Sequence, residues 1–70
     1  MELYKEVGKL IAKYRKDKGI SQEKLAALSD LHEDYIGKIE RGERKVTLHK
    51  LNDIIKSLGI TFKEFFNNFD

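Results

Sequence analysis

The side chains whose types and spacing could act together lie between Ser21 and Lys45. His32 stands among Asp30, Glu33 and Asp34, which are ligand types that hold metals. Adjacent residues on a helix point in different directions, however, and no second cluster supplies converging ligands; His49 stands alone further along. There is no glycine-rich phosphate loop and no nucleophile–base pairing. The expectation is no metal, no cofactor and no catalysis. What the stretch does carry is the amide of Gln22, the charges of Glu33, Asp34 and Lys38, and the basic run Arg41, Arg44 and Lys45. Guanidinium groups suit bidentate contact with phosphate. A phosphate backbone is a partner that the basic run fits.

Positioning them requires short amphipathic elements. Residues 21–29 and 32–41 read as two helices joined by a tight turn, Ser29-Asp30-Leu31-His32, with Leu31 as the plug where they cross. Leu25, Ala26 and Leu28 are the inward candidates of the first, and Tyr35, Ile36 and Ile39 of the second, at the three-and-four spacing of one helix face. Such a pair is the helix-turn-helix plan, which offers its second helix to a DNA major groove. His32 falls at the N-cap of that second helix. Before the pair, residues 3–18 form a helix with the stripe Leu3, Val7, Leu10, Ile11 and Tyr14, ended by Gly19; Ser21 caps the next. After it, Gly42 is read as a left-handed C′ residue. Thr47 caps a fourth helix with Leu48, Leu51, Ile54, Ile55 and Leu58 inward, and Thr61 with Glu64 has capping-box spacing for a helix over 61–69. Nothing reads as strand, so the expected fold is all-α: five short helices in one domain, residues 1–70.

Composition bounds the partners. The 70 residues carry a net charge of +2, compatible with nucleic acid but not indicative alone. Distribution says more, since residues 1–24 hold seven basic side chains against four acidic. Cysteine is absent, which excludes disulfides and suits a cytoplasmic location. The start MELYKEVGKL is charged and amphipathic, so neither a signal peptide nor a membrane span is expected. No small-molecule ligand is expected either.

The chain resembles the Cro and lambda-repressor type of helix-turn-helix regulators over essentially its whole length. The resemblance is carried by Arg15-Lys16-x-Lys18-Gly19-Ile20-Ser21-Gln22-Glu23-x-Leu25-Ala26, by Tyr35-Ile36-x-x-Ile39-Glu40-Arg41-Gly42, and by Leu51 through Leu58-Gly59-Ile60. Within that family, Leu31-His32-x-x-Tyr35-Ile36-Gly37 with Glu40-Arg41-Gly42-Glu43-Arg44 is most similar to controller proteins of restriction-modification systems. The resemblance implies a dimeric transcription regulator bound to duplex DNA at a palindromic operator. It implies base contacts by Glu33, Asp34, Gly37 and Lys38, and backbone contacts by Gln22, Arg41, Arg44 and Lys45. Tyr35 fits either a phosphate-contacting hydroxyl or a half-buried core ring. Arg15 and Glu40 match a pair that ties the first helix to the third.

Two features depart from the usual pattern. Lys38 suits guanine O6 and N7, but Glu33 and Asp34 set two carboxylates beside phosphates; either one accepts from cytosine N4 or this helix end binds DNA weakly. Phe62, Phe65, Phe66 and Phe69 crowd one short helix, where an exposed aromatic patch marks a partner surface. The family dimerises through its last helices, which implies that these four form the homodimer interface. The alternative is a protein-interaction module, an antitoxin or adaptor, on the same fold.

Overall fold

The computed structural model describes residues 2–69, and among them there is helix but no strand. In chain order the helices are α1 (Leu3–Lys18), α2 (Gln22–Ser29), α3 (Glu33–Glu40), α4 (Leu48–Ser57) and α5 (Phe62–Phe66). Most of the boundaries have a local chemical cause. α1 ends where Gly19 turns left-handed at φ 75°, and the N–H of Ile20 returns to the Arg15 carbonyl. Ser21 Oγ accepts from the Lys24 N–H at 3.0 Å, and Thr47 Oγ1 from the Lys50 N–H at 3.2 Å. His32 caps α3 through Nδ1, which accepts from the Asp34 N–H at 3.1 Å. Thr61 and Glu64 complete a reciprocal capping box on α5. The turn of the helix pair uses Asp30 at φ 56°, the left-handed conformation that a short polar side chain tolerates.

α1, α2, α3 and α4 close around Ile11, Leu25, Ile36, Ile39 and Ile54, all fully buried, with the ring of Phe65 sealing one end. α1 and α3 meet at Gly8. A Cβ there would collide with the Ile39 carbonyl oxygen, so the contact is between backbones. The hydroxyl of Ser29 is also inside, donating to the Leu25 carbonyl at 2.7 Å.

Three leucines expected inside are exposed. Leu3 and Leu48 begin their helices, beyond the edge of the core. Leu28 is displaced because Leu25, Ala26 and Ser29 define the inward face of α2, roughly a quarter turn away at about 100° per residue. α5 is shorter than the expected 61–69. The Asn68 side-chain amide folds back onto the Phe65 carbonyl at 2.8 Å and the Tyr14 hydroxyl at 3.1 Å, and so ends the helix on its own last carbonyls.

Gly8→Ala tests the α1–α3 contact. Alanine is the better helix former by about 1 kcal/mol, so a loss reports the collision with α3. Overpacking of this kind costs about 1–3 kcal/mol. The expected fall in Tm, read by circular dichroism, is roughly 5–15 °C.

Candidate nucleic-acid interface

α3 must present a face to a partner while its opposite face holds the core. Ile36 and Ile39 are fully buried; Glu33, Asp34 and Lys38 are exposed and make no ion pair among the described residues. At about 100° per residue, the order across the outer surface is Gly37, Arg41, Asp34, Lys38, Tyr35. Asp34 and Lys38 take the centre. Glu33 is the first helical residue, and both carboxylates lie in the first turn, where the helix dipole favours them.

Glu40 holds the helix pair to α1. Its carboxylate accepts from Arg15 Nε at 2.7 Å and Nη2 at 3.1 Å, and from Gln22 Nε2 at 2.9 Å. Arg15 Nη1 donates to the Ile20 carbonyl at 2.9 Å. The side chains of Arg15 and Glu40 are 12% and 6% exposed, so the pair is nearly desolvated, and Gln22 adds a third protein donor to the carboxylate. One carboxylate thereby fixes the end of α1, the start of α2 and the end of α3.

Gly37 differs from the expectation of a base contact. It is buried, and a Cβ there would sit 2.9 Å from Arg41 Nη1 and 3.4 Å from Gln22 Oε1. It provides space for Arg41 and presents no group of its own. Arg41 in turn is engaged by Glu43, through Nε to Oε2 at 2.9 Å and Nη2 to Oε1 at 3.3 Å. That hydrogen bond, with Coulombic attraction, raises the arginine above its ordinary pKa and lowers the Glu43 carboxyl. The pair persists at neutral pH and dissolves in acid, as pH falls through the lowered carboxyl pKa. Both side chains are more than half exposed, so it is a surface clasp.

On the other side of α3, the half-buried Tyr35 ring has the Arg44 guanidinium 5.1 Å and the Lys50 ammonium 4.6 Å from its centroid. Lys45 turns elsewhere, to 5.4 Å from the Tyr4 ring of α1. Lys50 was not singled out from sequence. It lies 15 positions beyond Tyr35 on another helix, and no linear spacing brings them together.

The phenylalanines are also rearranged. Phe65 is fully buried and therefore cannot meet a partner, in correction of the expectation that all four form an interface. Phe62 stacks on Phe66 at 5.3 Å, Phe66 meets Phe65 edge-on at 5.1 Å, and Phe69 lies 5.6 Å from Phe66. These rings are half-buried against one another. The apolar surface left open is instead around Leu48, 71% exposed. A cleft of about 590 Å³ lies between Leu48, His49, Asn52 and Phe62 on one side of it. An apolar groove of about 340 Å³, lined by Leu3, Tyr4, Val46 and Phe66 among others, lies on the other.

Among the described residues no three His, Cys, Asp or Glu side chains come together as a metal set, and His32 Nδ1 is occupied as a cap. No described helix is long and apolar enough to cross a membrane.

Comparison with known proteins places this geometry. The helix-turn-helix family model matches residues 11–65. Control protein C.MunI of Mycoplasma sp is 42% identical over 64 residues, covering 90% of this chain and 86% of that protein. The HTH-type transcriptional regulator y4dJ of Sinorhizobium fredii is 34% identical over 64 residues, covering 91% and 83%. Among solved structures, the tetramer of the restriction-modification controller protein C.Esp1396I in complex with its natural 35 base-pair operator is similar. It shares 38% identity and a TM-score of 0.92, over 97% of this chain and 90% of that one.

The Glu40 junction is tested by removing its partners one at a time. Arg15→Ala leaves a buried carboxylate with Gln22 alone and is expected to cost about 3–5 kcal/mol in urea unfolding, most of the stability of a domain this small. Glu40→Leu with Arg15→Met should cost less than either single removal, because no charge is left buried. Glu43→Gln, at the exposed clasp, should leave the urea unfolding midpoint unchanged.

Proposed function

The chain belongs to the helix-turn-helix family, and from that premise we propose that it is a transcriptional regulator of the restriction-modification controller type. In this reading it binds duplex DNA as a homodimer at a palindromic operator in the cytoplasm and acts by occupancy, without catalysis. The observation that carries the reading is its likeness, over nearly the whole chain, to a controller bound to its operator. That likeness favours DNA over the protein-interaction module.

α3 enters the major groove, with Lys38 donating to guanine and Glu33 or Asp34 accepting from cytosine N4. The carboxylates suit that role because, among the described residues, no cation lies within ion-pair distance of them, so a base amine is an available donor. Gln22 lies at the first turn of α2, where free N–H groups favour phosphate, and Arg41 lies beside it. Arg44 and Lys45 serve the backbone beyond α3. Engaging DNA through Arg41 requires its clasp with Glu43 to open. The exposed Leu48, with Phe62 beside it, supplies the dimer contact in place of the buried Phe65. Two-fold symmetry then sets the recognition helices about 34 Å apart.

Selection of duplexes from a random pool, at two salt concentrations, tests the reading. A palindrome with half-sites about one helical turn apart is expected. Lys38→Ala should relax preference at one guanine by about 1–3 kcal/mol, and Glu33→Ala or Asp34→Ala should abolish a cytosine preference. Failure to enrich any sequence, with weak binding even at low salt, would return the function to the protein-interaction module. Leu48→Glu should shift the sedimentation of the free protein from dimer to monomer; an unchanged dimer would remove Leu48 from the interface.

A further inference from the structure

We propose that Tyr35, Arg44 and Lys50 form a phosphate clamp, in which the tyrosine ring holds two cations ready for one DNA strand beside α3. The inference rests on the DNA-binding reading above and assigns Lys50 of α4 a place in it. Arg44 and Lys50 come from the turn after α3 and from the first turn of α4, yet both lie against the same ring, at 5.1 and 4.6 Å from its centroid. Like charges gathered at one ring repel each other. The ring quadrupole offsets this only weakly at an exposed site. Neither cation has a carboxylate within ion-pair distance among the described residues. The site is therefore electropositive and unneutralised, and a phosphodiester oxygen is the partner that would relieve it.

Position supports the same partner. A helix in the major groove runs between two phosphate walls about 12 Å apart. On the outer surface of α3, Gln22 and Arg41 adjoin Gly37 on one side, with Asp34 and Lys38 central and Tyr35 on the other. Gln22 already donates to Glu40, and Arg41 is held by Glu43. The clamp is the cationic group on the opposite side, free of such engagements. In this arrangement the ring face of Tyr35 does the holding, and its hydroxyl is dispensable. The clamp carries no sequence information, because phosphates are alike at every base pair.

The test measures affinity for the selected duplex and for an unrelated duplex across a salt series, with wild type, Lys50→Met, Lys50→Arg, Tyr35→Phe and Tyr35→Leu. Lys50→Met keeps the apolar stem and removes the charge, so a role confined to packing would leave binding intact. The expected result is an affinity loss of about fivefold to tenfold at 0.1 M salt on both duplexes, with a salt slope shallower by about one. Lys50→Arg and Tyr35→Phe should bind like wild type, and Tyr35→Leu should lose at least as much as Lys50→Met. Wild-type affinity and slope in Lys50→Met would overturn the clamp while leaving the regulator reading in place. A loss confined to one base position would overturn it in favour of base readout by Lys50. If wild type itself selects no duplex, the regulator reading fails and the clamp falls with it.

Discussion

A single carboxylate, Glu40, decides whether α3 can be offered to a partner at all. It receives three donors from two other segments, Arg15 at the end of α1 and Gln22 at the start of α2, and it is almost wholly removed from water. Desolvating a charge this far is tolerable only when hydrogen-bond donors compensate it, and here Arg15 and Gln22 supply them. The junction therefore specifies geometry more than it adds stability. It ties the helix pair to α1, and the backbone contact of Gly8 with Ile39 joins α1 to α3 about two turns earlier along α1. With both constraints in place, α3 has one face committed to the core and one free.

The free face is built by contrast with what flanks it. Its centre holds Asp34 and Lys38, with Glu33 at the helix start, all exposed and in no ion pair among the described residues, whereas the two sides hold cations. That is an unusual surface for nucleic acid, because the central carboxylates oppose phosphate at long range while the sides attract it. Helix-end electrostatics resolves part of the conflict, since Glu33 and Asp34 sit where the α3 dipole is positive. Arg41 shows the same restraint: its guanidinium lies over Gly37 beside Gln22, but Glu43 holds it. Affinity on such a face depends on the flanks and discrimination on the centre, a division that follows from phosphates being uniform and base edges not.

The apolar surplus follows a related logic. Four phenylalanines in eight residues exceed what one end of a small core can take, and the chain solves this by burying Phe65 and stacking the other three on it and on one another. The apolar surface that remains open is displaced to Leu48, the first residue of α4, between two clefts. A helix start is a favourable place for such a residue, because the side chain projects past the core without leaving a cavity beneath it.

Helix positions were legible in the chain because their signals are local. Ser21, Thr47 and the Thr61–Glu64 pair cap through atoms at most three residues away, and Gly19 and Gly42 adopt the left-handed conformation that ends a helix. Periodicity marked Ile36, Ile39, Ile54 and Ile55 as inward for the same reason. It failed for Leu3 and Leu48, since a repeat gives the direction of a face and not where the core stops, and for Leu28, which lies about a quarter turn off the face of Leu25, Ala26 and Ser29. Family likeness in the sequence named Arg15 with Glu40, but only the assembled helices show Gln22 joining them, Gly37 roofed by Arg41, and Lys50 brought to the Tyr35 ring. Two of those relations join residues 15 and 18 positions apart, through contacts that exist only once the core has closed. The sequence by itself determined the elements and their caps, because those depend on short-range backbone chemistry; tertiary structure alone decided which charges are paired, buried or left free, because that depends on what packing brings within hydrogen-bonding distance.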